Sequence, residues 1–89
     1  MKNHTKVYLR YFDYGEQDFI PCEACGSEAV DIHHINGRLG DDADTIKNLI
    51  ALCRKCHDRA HNSKNYVTPG EFQLIHNYFL NGHRKTFLT

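Results

Sequence analysis

The clearest alternation of apolar and polar positions lies near the end of the chain. Four apolar side chains recur there at helical spacing: Phe72, Ile75, Tyr78 and Phe79. The residues ahead of them, Thr68-Pro69-Gly70-Glu71, form a capping box with proline at the first helical position. The sequence therefore predicts a helix that begins after Thr68 and closes at Gly82.

An apolar and aromatic run also lies near the start of the chain, from Thr5 to Asp13. It is too short for its periodicity to separate a helix from a strand, and we favour a short helix with a strand as the alternative. Its aromatic side chains are expected to lie in the core, with a dimer or partner surface as the other interpretation: Tyr8, Tyr11, Phe12 and the nearby Tyr14.

The middle of the chain predicts a strand followed by a turn. Ala29–Ile35 is rich in β-branched residues, and Asn36-Gly37 is a strong turn pair. If the chain turns back there, a return strand begins at Arg38-Leu39. A polar loop over 40–44 then leads to a short turn capped by Thr45.

Two further segments complete the predicted elements. The residues 48–52 are mostly apolar and are expected to return to the core. From Cys53 onward the sequence predicts a helix that begins at or near the second cysteine pair and is ended by Asn62 and Ser63.

Length and composition limit the class of protein. With 89 residues and 40% hydrophobic content, the chain suits one compact domain over residues 1–89. A core of this size gives little net stability, so an additional cross-link is expected. The formal net charge is zero, which argues against a general polyanion-coating protein. No segment is long and apolar enough for a secretory signal or a membrane span, and we expect an intracellular protein.

Two C-x-x-C pairs supply the expected cross-link. Each pair predicts a tight knuckle, and two knuckles complete the tetrahedral four-sulfur shell that zinc prefers, from Cys22, Cys25, Cys53 and Cys56. Since all four positions are filled by thiolate, such a site is structural. In an intracellular protein this interpretation is favoured over two disulfides or a redox pair.

Four histidines indicate a second metal site. His33-His34 lies near the end of the predicted strand, and His57 and His61 are four residues apart, which places them on one helix face. With His33 or His34 they make a three-nitrogen site with open coordination positions, which is typical of a catalytic metal. The remaining histidines are expected to be solvated surface residues: His4, His76 and His83.

These motifs together resemble the HNH endonuclease family in its zinc-knuckle form. The resemblance covers a motif core over residues 22–62 and includes His34, then Asn48-Leu49, then Leu52-Cys53 and Cys56-His57 in the family's order. It implies an α+β fold: a small single domain with a ββα-metal, treble-clef-like HNH core, a structural four-cysteine zinc site and flanking N- and C-terminal helices.

The resemblance also implies roles for individual residues. His34 would be the general base that takes a proton from the attacking water, although spacing alone leaves the roles of His33 and His34 reversible. Asn48 would hold the His34 loop through hydrogen bonds to backbone, and Asp31 would support an imidazole. The ligands of the catalytic ion would be His33, His57 and His61, with His57 counted among the catalytic residues.

The implied reaction is hydrolysis of DNA phosphodiester bonds. A divalent ion neutralises charge on the phosphate oxygens, and a neutral imidazole accepts a proton from water near neutral pH. The implied cofactors are a structural Zn²⁺ and one catalytic divalent ion, Mg²⁺, Mn²⁺, Ni²⁺ or Zn²⁺. Imidazole-rich ligation favours the transition metals over magnesium.

Local positive charge indicates where DNA would bind. Five cations are expected to contact phosphates, Arg38, Arg54, Lys55, Arg59 and Lys64, with Arg84 and Lys85 extending the patch. We expect a monomer or weak dimer in the cytoplasm of a bacterial cell or a phage-infected host, with no membrane partner. Delivery to DNA by a larger DNA-processing complex is left open. The alternative function is a catalytically silent, zinc-stabilised module that binds nucleic acid or a protein.

Overall fold

A computed structural model of the protein describes residues 1–40, 42–61 and 64–83. Three α-helices and two strands are present in this part of the chain: α1 (Asn3–Tyr11), β1 (Asp31–His34), β2 (Leu49–Leu52), α2 (Arg54–Asp58) and α3 (Pro69–Leu80). One turn of 3₁₀ helix, Ile46–Asn48, precedes β2. Within the described residues, none of the helices has the length and apolar content needed to cross a membrane.

The two strands form an antiparallel ribbon in which Asp31 lies opposite Leu52 and His34 lies opposite Leu49. The predicted return strand at Arg38-Leu39 is therefore wrong: these residues belong to the loop between the strands, and Leu39 is 95% exposed. The chain does turn at Asn36-Gly37, where Gly37 has a φ of 90°. The residues directly after this turn do not form the second strand, because the apolar segment that pairs with β1 begins only at Leu49.

Strand β2 is buried along its whole length and divides the core into two parts. Alternate side chains of a strand point to opposite faces. Ile50 and Leu52 accordingly join the cluster on the side of the cysteines and α3, whereas Leu49 and Ala51 join Tyr8 on the side of α1. The helices α1 and α3 therefore cover opposite faces of the same short strand.

The N-terminal helix is confirmed, and the strand alternative is wrong. Its aromatic residues divide between core and solvent. Tyr8 is fully buried, and the Phe12 ring lies 4.8 Å from that of Tyr8 and 5.6 Å from that of Phe79. Tyr11, by contrast, is 55% exposed.

The other two helices follow their predicted starting points. In α3 both halves of the capping box are formed: the Thr68 hydroxyl accepts from the Glu71 N–H, and the Glu71 carboxylate accepts from the Thr68 N–H. Helix α2 begins beside the second cysteine pair but ends at Asp58, earlier than predicted. Consecutive i→i+3 hydrogen bonds then carry the chain in tighter turns to His61.

The fold class is confirmed. A two-stranded ribbon and the short helix α2 form a ββα core, the four cysteines are clustered beside it, and α1 and α3 flank it.

Candidate metal centres and active site

The four cysteine sulfurs converge as the sequence predicts. Their Sγ atoms all lie within 4.8 Å of one another, and those of Cys25 and Cys53 are 3.6 Å apart. Backbone geometry builds each knuckle: the Cys22 N–H donates to the Ser27 carbonyl at 2.6 Å, and the Cys53 Sγ accepts from the Cys56 N–H at 3.4 Å. All four thiols are free of disulfides.

This arrangement fits a tetrahedral metal better than a pair of disulfides. Zn–S bonds of about 2.3 Å place the sulfurs of a tetrahedral site roughly 3.8 Å apart, whereas a disulfide needs about 2.05 Å. Burial also raises the pKa of the Cys22 and Cys56 thiols. Deprotonating several such thiols side by side requires a nearby cation, so the donor set fits a bound divalent ion.

Three histidines, from β1, from α2 and from the turns after α2, form the second cluster. One ring nitrogen from each of His33, His57 and His61 lies within 4.8 Å of the other two. The ring centroids are 4.9 Å apart for His33 and His57, 5.3 Å for His57 and His61, and 5.8 Å for His33 and His61. His33 comes from β1, His57 from α2 and His61 from the turns after it.

Neighbouring groups prepare two of these imidazoles for a metal. The Nδ1 atom of His57 donates to Asp31 Oδ2 at 2.9 Å, which leaves Nε2 as the ligating atom. Arg54 Nη1 approaches the same carboxylate oxygen at 3.3 Å. Burial, followed by the charge of His57, lowers the pKa of His33 to about 4, so His33 is neutral at pH 7. Neutral imidazole is the form that binds metal.

The His34 side chain is held differently from that of its neighbour. It is 6% exposed, and its Nε2 lies 2.7 Å from Asp44 Oδ1. His33 and His34 nevertheless both line one surface groove of about 890 Å³, together with His57 and His61. A substrate in this groove would contact the three-histidine cluster and His34 at once.

Asn48 makes the backbone contacts expected of it. Its Nδ2 donates to the carbonyls of Ala43 at 2.8 Å and Gly37 at 3.1 Å, and its Oδ1 accepts from the Asn36 N–H at 2.8 Å. One buried side chain thereby ties both ends of the loop between the strands. The backbone carbonyl of the same residue accepts from the Ile35 N–H at 2.8 Å, directly after His34.

The predicted phosphate contacts do not form one patch around the groove. Of the five residues, Arg38 lines the groove, where the N-terminal Lys2 joins it. Arg54 is 68% exposed but lies beside Asp31, and Lys55, Arg59 and Lys64 do not line this groove. Arg84 and Lys85 lie outside the described residues.

Sequence reasoning missed two groups next to His34. Asp44 was predicted only as part of a polar loop, and His4 as a solvated residue. His4 is half-buried, with its ring centroid 4.4 Å from that of His34. Neither residue belongs to a recognisable motif, because each reaches His34 only through the tertiary fold.

The prediction for His76 is wrong. This side chain is fully buried, with Nδ1 2.7 Å from Glu23 Oε1 and Nε2 2.6 Å from the Ile46 carbonyl. Glu23 is buried as well, and its other oxygen accepts from the Tyr8 hydroxyl at 2.5 Å and the Ala51 N–H at 3.3 Å. The histidine is a structural partner of the residue that follows Cys22.

Comparison with known proteins agrees with this geometry. Residues 22–63 match the model of a family described as HNH endonuclease, and the resemblance seen in the motifs of this part of the chain is confirmed. A curated relative, the type IV methyl-directed restriction enzyme EcoKMcrA of Escherichia coli (strain K12), is 37% identical over an alignment of 54 residues that covers 49% of this chain. The alignment spans 20% of that relative's own length. None of the solved structures matches the chain.

Proposed function

We propose that the protein is a metal-dependent endonuclease that hydrolyses DNA phosphodiester bonds. The observation that carries this proposal is the convergence of His33, His57 and His61 in a groove that His34 also lines. The match of residues 22–63 to the HNH endonuclease family supports it. The name of the restriction-enzyme relative supports DNA as the substrate class.

The two clusters would have separate tasks. The four cysteines would hold a structural Zn²⁺, because a closed four-thiolate shell leaves no position for substrate. The three histidines would hold one divalent ion, Mg²⁺, Mn²⁺, Ni²⁺ or Zn²⁺, with coordination positions left open. When bound, that ion supplies neutralisation of the charge that gathers on the phosphate oxygens.

His34 would act as the general base. The contacts support this assignment over the reverse one, since His33 faces the two other histidines of its cluster and His34 instead bonds Asp44. His34 would take a proton from water as the water oxygen bonds to phosphorus. The bond from phosphorus to the leaving sugar oxygen then breaks, and that oxygen keeps the electron pair and takes a proton from solvent.

Substrate binding would rest on local cations. Arg38 and Lys2 border the groove and would contact phosphates, which positions DNA without reading its sequence. Phosphate contacts by Arg54, Lys55, Arg59 and Lys64 stay predictions, as do a cytoplasmic location, a monomer or weak dimer, and service within a larger DNA-processing complex. Because the chain has no net charge, we expect weak binding of duplex DNA by the protein alone.

Plasmid cleavage tests the proposal. Zinc-loaded protein, freed of excess metal, is incubated with supercoiled plasmid alone and with magnesium, manganese, nickel or added zinc. The wild type should nick or cut with at least one ion, and His34→Ala should lose about 10²–10⁴ in rate while it keeps its circular dichroism spectrum and zinc content. His83→Ala, at an exposed histidine outside the groove-lining set, is the matched control and should retain activity.

Two results would contradict the proposal. A folded, zinc-bound wild type that cleaves with none of the ions would favour the catalytically silent binding module. A His34→Ala protein that cleaves as fast as the wild type would remove His34 as the base.

A further inference from the structure

We infer that Asp44 is a positioning residue that fixes the tautomer and orientation of His34, and that Asn3 at the start of α1 fixes Asp44 in turn. This inference rests on the proposed function, because it concerns how the proposed base is prepared for its reaction. It assigns part of the active site to α1 and the loop before β2. Asn3 lies outside residues 22–63, which match the family.

The hydrogen bond between His34 and Asp44 defines which ring nitrogen is basic. A carboxylate only accepts, so the 2.7 Å contact requires a proton on His34 Nε2. In a neutral imidazole the other nitrogen, Nδ1, then carries the lone pair. Nδ1 is therefore the atom that can take a proton from water.

Asp44 is a partly exposed side chain that contacts His34 outside the groove. His34 lines the groove, whereas Asp44 does not belong to the groove-lining residues. Its second oxygen, Oδ2, accepts from Asn3 Nδ2 at 2.8 Å. With one oxygen on each partner, the carboxylate cannot turn without breaking a hydrogen bond. The hydrogen bond from Asn3, followed by that from His34, also lowers the pKa of Asp44, since both bonds favour the carboxylate form that accepts them.

The Asp44 carboxylate and the His4 ring also affect the charge and the solvent exposure of His34. When His34 takes up a proton it becomes an imidazolium, and an ionised carboxylate beside Nε2 stabilises that charge. The ring of His4 lies against that of His34 at 4.4 Å, tilted by 57°, so α1 also shields the base from solvent. Burial, followed by the charge of His34, lowers the pKa of His4, so this neighbour adds no positive charge near neutral pH.

The same trio also meets the distance requirement for a metal site. One ligand atom from each of His4, His34 and Asp44 lies within 4.8 Å of the others. We favour positioning because both Asp44 oxygens already have hydrogen-bond partners and because the carboxylate does not reach the groove. The two interpretations differ in what the removal of Asp44 changes: the tautomer of His34 or the number of ions bound.

The tautomer can be measured without any activity. Long-range ¹H–¹⁵N correlation spectra of ¹⁵N-labelled, zinc-loaded protein distinguish the two neutral forms of each histidine under mildly alkaline conditions. We expect His34 of the wild type as the pure Nε2–H form. Asp44→Ala should show a mixture of tautomers, whereas Asp42→Ala should leave the signal unchanged. Asp42 is a matched control because it lies in the same loop, is exposed, and offers Thr45 its backbone carbonyl.

The plasmid cleavage rates of the variants should fall according to how strongly each substitution disturbs His34. Asp44→Ala should reduce plasmid cleavage by about 10–100-fold, by analogy with the loss of a group that orients a metal-ligating histidine. Asn3→Ala should cause a smaller loss, because Asp44 stays present but less fixed. Asp42→Ala should cleave at the wild-type rate.

Three results would overturn the inference: an Nδ1–H form of His34 in the wild type, an unchanged tautomer in folded Asp44→Ala, or the loss of one bound ion per chain in that variant on titration with zinc. If the wild type cleaves no plasmid, the spectra still decide whether Asp44 orients His34. A failure of the proposed function is thus distinguishable from a failure of this inference.

Discussion

Removal of the His76 imidazole tests the buried network that joins the first cysteine knuckle to α1 and α3. In the wild type this side chain bridges Glu23 and the Ile46 carbonyl; His76 and Glu23 are buried, and Ile46 is half-buried. In His76→Ala the Glu23 carboxylate keeps the Tyr8 hydroxyl and the Ala51 N–H but loses the partner of its other oxygen. The Ile46 carbonyl loses its side-chain partner as well.

The size of the effect follows from these contacts. Leaving a buried acceptor without its donor costs about 1–3 kcal/mol, and more when the acceptor is charged, because neither water nor another group replaces the lost partner. Domains are typically stable by only about 5–15 kcal/mol. We therefore expect His76→Ala to lose a large fraction of its free energy of unfolding and to unfold at clearly lower urea concentration.

Glu23→Gln is the informative companion variant. A glutamine can offer its oxygen to Tyr8 and Ala51 and its amide N–H to His76 Nδ1, while His76 Nε2–H still donates to the Ile46 carbonyl. Every group then keeps a partner, so the expected cost is below about 1.5 kcal/mol. Glu23→Ala, which leaves these donors without an acceptor, should cost far more.

Urea unfolding of zinc-loaded protein, followed by circular dichroism, measures these differences. The free zinc concentration is kept constant, because a ligand that binds only the folded state changes apparent stability. Leu74→Ala is the control on the same helix: Leu74 is 62% exposed, and its loss should change stability by less than about 0.5 kcal/mol. A cost below about 1 kcal/mol for His76→Ala, or equal costs for Glu23→Gln and Glu23→Ala, would refute the reasoning.

Two further predictions concern the metal sites. Cys56→Ser, or removal of zinc by a chelator, should unfold the protein, since structural zinc contributes about 10–16 kcal/mol of folding free energy in small zinc peptides. Zinc release and circular dichroism measure this unfolding. A circular dichroism spectrum that is unchanged after zinc removal would contradict the prediction. For pH, the folded pKa of His33 is about 4 and the unfolded value is 6.5, so the unfolded chain binds more protons between them. Without a second metal, the contribution of His33 is fully present above about pH 6.5 and is lost as the pH falls toward 4. Urea midpoints over this range should decline less steeply in His33→Gln, and parallel declines would disprove the assignment.

The sequence predicted best those features that depend on neighbouring residues. The capping box at Thr68 and the two C-x-x-C pairs are local patterns with one physical solution each, and both are formed. His57 and His61 also share one metal cluster, although α2 ends at Asp58 and the tighter turns after it place His61.

Features that depend on distant partners were predicted poorly. The Asn36-Gly37 pair signals a turn but does not reveal which later segment forms the second strand. Leu49–Leu52 is buried on both faces and therefore lacks the alternation that marks a half-buried strand. His76 meets Glu23 across 53 residues of sequence, and no local pattern distinguishes it from a surface histidine on a helix.

The position of Glu23 inside the first knuckle bears on whether the nuclease motif can be transplanted. Its partners Tyr8 and His76 belong to α1 and α3, and both lie outside residues 22–63. A fragment cut at the family boundaries would lose both partners and would expose the two faces of β2 that these helices cover. We therefore expect that the motif does not fold on its own in this protein. Grafting it into another scaffold would require the helices that hydrogen-bond its buried Glu23 side chain to move with it.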